Sequence, residues 1–397
     1  MTVTEFADRW GLGPDKYWLR GRLPEEKVTF DENLGVWQVA GYQEVLQVLG
    51  DDSFSADSTR LFDVDEEQAK LIKGDMAQMN GPEHIHMRRQ VGKAFSPKAM
   101  DDLELRITKL GTELLDKLAG RDRFDLLGDF IDDLSGILFS ELLGTPAEHR
   151  HMFKAVDQTM DADVQMSTVD QGGEEYFDSL LGPLLPLRDF LGDIINERRK
   201  EPKQDLLSLM IEFKYLDGTP MAHDEIINFA VAVLGAGHLT SPILIGNTML
   251  CLDAFPEQYA KVRADRSLVP GMFEEVMRYF TPATTSYRAT DAEVEVGGVT
   301  IPKDQMVAIQ LGAANRDPRQ FPNADVFDVT RAPNQHVGYG RGSHYCIGAA
   351  MARVETRIIF NLLLDRFPNL RVDPDVPPVF FGSPEFTGVR SLAVRVD

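Results

Sequence analysis

The chain has only two cysteines, Cys251 and Cys346, in 397 residues. They cannot make a disulfide framework, and such scarcity suits a reducing compartment. Positive charge is also in short supply, with 41 Lys and Arg against 63 Asp and Glu and a net charge of -22. That sign argues against nucleic acid or an anionic membrane as the main partner. The opening residues, 1–9, lack the basic-then-apolar pattern of a secretory leader. Long apolar runs are scarce as well. The longest, residues 226–250, is interrupted by Asn228, His238, Pro242 and Asn247, and a central buried helix explains it better than a membrane span. No linker, repeat or low-complexity tract divides the chain, so a single cytoplasmic domain over residues 1–397 is expected.

What is present is mostly helical periodicity. Amphipathic patterns over residues 100–118, 130–143 and 184–199, and from near Asp224, predict long helices. Strand-like pieces occur at 27–30 and 36–39. Residues 294–302 and 306–310 alternate and turn at Gly297-Gly298 and Lys303-Asp304, which predicts a small antiparallel sheet, and 392–396 predicts a last strand. The expected class is mainly α (α+β). A β-rich part to about residue 60 precedes a helical core over about 84–280 and a sheet and cysteine-loop region over about 281–397.

The chemistry concentrates between His336 and Gly348, where Cys346 sits in a glycine-rich loop just before a helical pattern from Ala349 to about Phe367. A thiolate that binds iron needs backbone able to wrap close to the sulfur, and Gly340, Gly342 and Gly348 supply that freedom. The helix N-terminus that follows favours negative charge on the sulfur. Cys346 is therefore a candidate axial ligand of a haem iron. Zinc is the competing reading of His336, His344 and Cys346, but a fourth ligand at finger-like spacing is missing. Upstream, Glu275 and Arg278 share one helical face at i,i+3, which alone would be an ordinary surface ion pair. Cys251, in an apolar run, reads as an inert buried thiol.

Together these motifs resemble the cytochrome P450 family, in its soluble, actinobacterial form. The pattern F-x-x-G-x-x-x-C-x-G is met by Tyr339, Gly342, Cys346 and Gly348, with Tyr in place of Phe. Glu275 and Arg278 match the family's E-x-x-R pair, and Arg331 matches the arginine that completes its buried triad. His84 and Arg88 fit the propionate-binding H-x-x-x-R helix, with Arg288 and His344 as the further propionate contacts and Tyr339 and Gly340 beside the haem. His86 and Arg89 read as surface. The resemblance runs from roughly Trp37 to the C-terminus. It implies the cytochrome P450 fold, a helical bulk around haem b (iron protoporphyrin IX) with minor antiparallel sheets. It also implies oxygen chemistry, because a thiolate pushes electron density toward O–O cleavage.

The segment Ala236-Gly237-His238-Leu239-Thr240-Ser241 resembles the distal-helix signature. There Ala236 and Gly237 are expected to make room for dioxygen, with the hydroxyls of Thr240 and Ser241 at hand for catalysis. Thr240 can instead bond back to its own backbone and open the helix. Leu239 stands where most of the family has Glu or Asp, and a leucine cannot relay protons. Pro242 offers no N–H to the carbonyl of His238 and should loosen this turn. Protons must then come through ordered water, Thr240, Ser241 or the substrate.

The leading expectation is hydroxylation or epoxidation of a bulky natural-product intermediate. The alternatives are oxidative C–N or C–C ring closure without oxygen insertion, and a haem protein without turnover. By resemblance, the substrate would meet residues 60–80 with Phe62, Met76 and Met79, then Ala232, Gly235, Ala236 and Leu239. Thr284, Thr285 and Ser286, and Phe386 and Thr387 in the C-terminal turn, would complete the wall. Each of these reads equally well as core packing. No flavin or nicotinamide domain fits beside the haem fold, so electrons should come from a ferredoxin and its reductase. Arg88, Arg89, Lys93, Arg341 and Arg353 would form a basic docking patch.

Overall fold

Helix starts follow local chemistry in the computed structural model, which describes residues 1–62, 70–160, 166–169 and 172–397. The short helices α1 (Val3–Arg9), α2 (Tyr42–Gly50) and α3 (Gly81–Val91) come first. Next, α4 (Pro97–Asp116) begins three residues before the periodicity suggested, since the Ser96 hydroxyl accepts from the N–H of Ala99 and Pro97 is preset for the first turn. Helix α5 (Asp132–Leu143) follows a wide turn at Leu127–Ile131 and stops at Gly144, whose φ of 91° is left-handed. After α6 (Lys154–Met160), α7 (Gly172–Lys200) runs through Pro183 and Pro186. The periodicity predicts a start at 184, and the helix begins twelve residues earlier.

Helix α8 (Leu206–Glu212) leads to the apolar run, which is two helices and not one: α9 (His223–Gly237) and α10 (Thr240–Ala254), with a break at His238 and Leu239. Long and apolar enough on composition to cross a membrane, this stretch is mostly buried inside the protein. Every residue from Ser241 to Leu252 is buried, the mark of a helix surrounded by others. The remaining helices are α11 (Pro256–Ala264), α12 (Val269–Tyr279), the single turn α13 (Leu311–Ala314) and α14 (Ala349–Arg366). Helix α14 packs on α12 through Phe273 and Phe360, edge to face at 5.7 Å, and on α4 where Gly111 lets Leu362 approach.

The strands are β1 (Val28–Asp31), β2 (Val36–Val39), β3 (Phe54–Ser55), β4 (Arg123–Asp125), β5 (Thr285–Thr290), β6 (Val294–Val296), β7 (Val299–Ile301), β8 (Met306–Gln310), β9 (Arg371–Val372), β10 (Val379–Phe380), β11 (Val389–Ser391) and β12 (Ala393–Arg395). The hairpin β6–β7 forms at Gly297-Gly298 as expected. Strand β8 does not extend it. It lies between β2, parallel with Trp37 opposite Val307, and β5, antiparallel with Tyr287 opposite Ala308. All five of its residues are buried because both faces are covered. The strand expected at 306–310 is present, but its partners are β2 and β5 rather than the β6–β7 hairpin.

Candidate active site

The cysteine loop is pinned by its glycines. The N–H of Cys346 donates to Tyr339 O at 2.8 Å, and Gly340 and Gly342 take φ of 68° and 73°. A Cβ on Gly342 would come within 2.7 Å of Leu49 O, so only glycine lets this loop lie against α2. Cys346 is open on one side. On the other, burial pushes its thiol up, while the N–H groups of Gly348 and Ala349 and the charges of Arg88 and Arg353 favour the thiolate. Tyr339, in the place of the usual Phe, lies under the Arg353 guanidinium at 4.6 Å.

Two expectations at this loop change. Arg353 is held by Glu274 at 2.8 and 2.9 Å, and Arg88 donates to Tyr345 O. Of the basic patch, Arg89, Lys93 and Arg341 are therefore the exposed members with no carboxylate partner among the described residues. His336 also faces Glu274, at 3.1 Å, and is not grouped with His344 and Cys346 as a zinc site would need. Burial pushes Glu274 up, but His336 and Arg353 win and hold its carboxyl near about 2.

Beside the cysteine loop the structure gathers His84, Arg88, Arg288 and His344. The two imidazoles stack at 4.1 Å, with their planes 9° apart. Burial and then the neighbouring positive charges lower His84 and take His344 to about 3, so the pair disfavours charge on its rings. Arg288 is 8% exposed and burial pulls it to about 10. It donates only to neutral groups, Tyr287 O at 2.7 Å and Ser286 Oγ at 3.4 Å. None of the four has a carboxylate partner among the described residues. Buried cations without counter-charge cost several kcal/mol, of order 3–5 when a partner is missing, so the cluster fits a group that brings its own carboxylates, as the two propionates of haem do.

Glu275 and Arg278 are wholly buried, joined by two 2.8 Å hydrogen bonds. Arg331 Nε reaches both carboxylate oxygens at 3.2 and 3.1 Å. Arg278 also donates to Asn315 O and Ala324 O at 3.1 and 2.8 Å. The expected triad thus ties α12 to the segment that leads into the cysteine loop.

On the distal side, Thr240 Oγ1 donates to Ala236 O at 2.7 Å, the backbone competition foreseen from its type. Ala236 is exposed, and Ala232, Gly235 and Thr240 are half-buried. Gly235 faces Val156 of α6, its virtual Cβ 3.9 Å away. Gly237 does not leave open space: a Cβ there would lie 2.2 Å from the Phe139 ring, so the room it makes is filled by α5. Leu239 is 5% exposed and lines a cavity of about 150 Å³ with Asp132, Asp157, Pro242, Ile243 and Arg390. Burial and then Asp125 push the Asp132 carboxyl up to about 6.

Among the other substrate expectations, Thr284 is corrected to a structural role, because it is 1% exposed and donates to Glu385 O at 2.8 Å. Thr285 Oγ1 is directed to Gln310 Oε1 at 3.4 Å. Phe386 bridges to Ala283, and the N–H of Thr387 donates to Pro282 O at 2.8 Å. Met76 and Met79 pack on the main core, while Phe62 packs on the sheet beside Val36 and Met306. Residues 63–69 of the stretch expected over the pocket lie outside the described residues.

One residue escaped notice in the sequence. Glu355 on α14 is fully buried, and burial pushes its carboxyl up to about 7, with the Ser241 side chain as the polar neighbour that stabilises its charge. Neither carboxylate oxygen closes a direct hydrogen bond among the described residues. Its signal was available: Glu355 falls in the stripe of Met351 and Ile359 at i±4, where an apolar residue belongs.

The chain is 32% identical to the cyclomarin C epoxidase CymV of Salinispora arenicola, over 95% of this chain and 94% of that one. It is also 32% identical to the 6-deoxyerythronolide B hydroxylase of Saccharopolyspora erythraea, over 96% and 94%. Among solved structures, the hydroxylase HmtN of himastatin biosynthesis superposes with a TM-score of 0.87 at 42% identity, covering 100% of both chains. A family model describing cytochrome P450 matches residues 33–387. On its sequence, its fold and its relatives, the chain belongs to the cytochrome P450 family of haem-dependent monooxygenases.

Proposed function

We propose that this monooxygenase hydroxylates or epoxidises a bulky natural product in the cytoplasm, using haem b, dioxygen and electrons from a ferredoxin and its reductase. The observation that carries the reading is the open face of Cys346 beside buried His84 and Arg288 and half-buried Arg88 and His344, none of them with a carboxylate partner among the described residues. The names of the relatives, hydroxylases and an epoxidase, support oxygen insertion over ring closure.

When bound, a thiolate-ligated haem supplies the reductive activation of dioxygen. Cys346 would hold its iron through the sulfur, with the N–H groups of Gly348 and Ala349 spreading the sulfur's charge. His84, Arg88, Arg288 and His344 would hold the propionates. Leu239 has no proton to give, and Glu355 answers that lack. A carboxyl near 7 is half-protonated at neutral pH, the range in which a general acid works best. An ordered water would carry this proton to Ser241 Oγ, which would release its own hydroxyl proton onward, and water would return a proton to the carboxylate. Thr240, whose own proton is engaged by Ala236 O, keeps oxygen lone pairs with which to accept and orient water. Arg89, Lys93 and Arg341 offer charge to an acidic electron donor.

The reduced carbon monoxide complex tests the ligand. A strongly red-shifted Soret band is expected, lost in Cys346→Ser, whereas a band typical of histidine ligation in the wild type overturns the assignment. Mass analysis of product separates the reactions: insertion adds one oxygen, and ring closure removes two hydrogens.

A further inference from the structure

The break between α9 and α10 lacks one backbone donor. Pro242 has no N–H, so the carbonyl of His238, four residues earlier, loses its helical partner. The hydroxyl of Ser135, on α5, takes that place, with Oγ 2.9 Å from His238 O. The same Oγ lies 3.2 Å from Nδ1 of the His238 ring. A hydroxyl carries a single proton. Once that proton goes to the carbonyl, the oxygen can only accept from the ring, which makes Nδ1 the protonated nitrogen.

The surroundings fit a neutral ring held in this way. Ser135 is 0% and His238 6% exposed, and Phe139 and Phe153 flank the imidazole at 6.3 and 5.6 Å. Burial keeps His238 uncharged, near about 4. Phe139 also fills the space left by Gly237, so two residues one turn apart on α5, Ser135 and Phe139, meet the break.

We propose that Ser135 is a positioning residue for oxygen activation: its hydroxyl replaces the N–H missing at residue 242, clasps both the carbonyl and the ring of His238, and so holds the break at His238 and Leu239 in the one geometry that presents Thr240 and Ser241. The structural half of this inference stands alone. Its catalytic half rests on Ser241 and Glu355 delivering protons as proposed above.

The test is a double-mutant cycle on the haem-loaded protein with Ser135→Ala, Pro242→Ala and the pair. Ser135→Ala strands a buried carbonyl and should raise the unfolding constant in urea roughly tenfold. Adding Pro242→Ala supplies an N–H to the same carbonyl, so the double variant should recover most of that loss. A packing role for Ser135 predicts no recovery. The ¹⁵N shifts of His238 should report the Nδ1–H form in the wild type. Additive effects in the cycle, or the Nε2–H form in the wild type, overturn the clasp. The fraction of electrons recovered in product should fall in Ser135→Ala and return in the double variant. Should that fraction stay constant across the cycle while Glu355→Gln lowers it, the catalytic half is overturned and the proton route stands. Should Glu355→Gln also leave it unchanged, the proton route itself is overturned.

Discussion

Replacing Glu355 by Gln isolates the proton of a single buried carboxyl. Gln has nearly the shape of the protonated acid but cannot ionise. The side chain is fully buried, and its proton affinity rises from the ordinary 4.5 to about 7 on folding. Because the folded value is raised, the unfolded chain gives up this proton first as pH rises, so the native state binds more protons and stability falls. The loss begins near pH 4.5 and is complete above about pH 7. At about 1.4 kcal/mol for each tenfold change in proton affinity, its full size is about 3 kcal/mol. Urea unfolding of wild type and Glu355→Gln should therefore give similar stabilities near pH 4.5 and a variant about 3 kcal/mol more stable at pH 8. In turnover, the same variant should divert electrons from product to peroxide. Stability curves that stay parallel across this range would refute the assignment of a protonated Glu355, whatever the activity.

Gly237→Ala should destabilise by about 1–3 kcal/mol through overpacking, because its Cβ would meet Phe139 at 2.2 Å. Thermal unfolding in a Phe139→Leu background should recover part of that loss, and a full penalty there would show that the ring is not the obstacle. Arg288→Gln should speed haem transfer to apomyoglobin by roughly ten- to a hundredfold, the worth of one charge-assisted hydrogen bond, and an unchanged rate would remove Arg288 from the propionate set.

Much of the proximal side was legible because its chemistry is local. Gly340, Gly342, Cys346 and Gly348 lie within nine residues, and the Glu275 and Arg278 spacing places both on one turn. The distal side was harder to read. Thr240 and Pro242 announced a broken helix, since each disturbs its own backbone bonds. Nothing in the chain order could say that Phe139 would fill the space at Gly237, or that Leu239 would turn to a cavity shared with Asp132 and Arg390. The partners of strand β8 were missed for the same reason: β2 and β5 reach it from distant parts of the chain.

By itself the sequence determined the cofactor class, the iron-binding cysteine expected for it and the defect in the distal turn, because glycine φ, proline's missing donor and i,i+3 spacing act within a few residues. Only the tertiary structure decided what makes up for that defect. Ser135 meets His238 across 103 residues of chain, and Glu355 faces Ser241 from another helix. Burial, which sets proton affinity, exists only once the helices have packed.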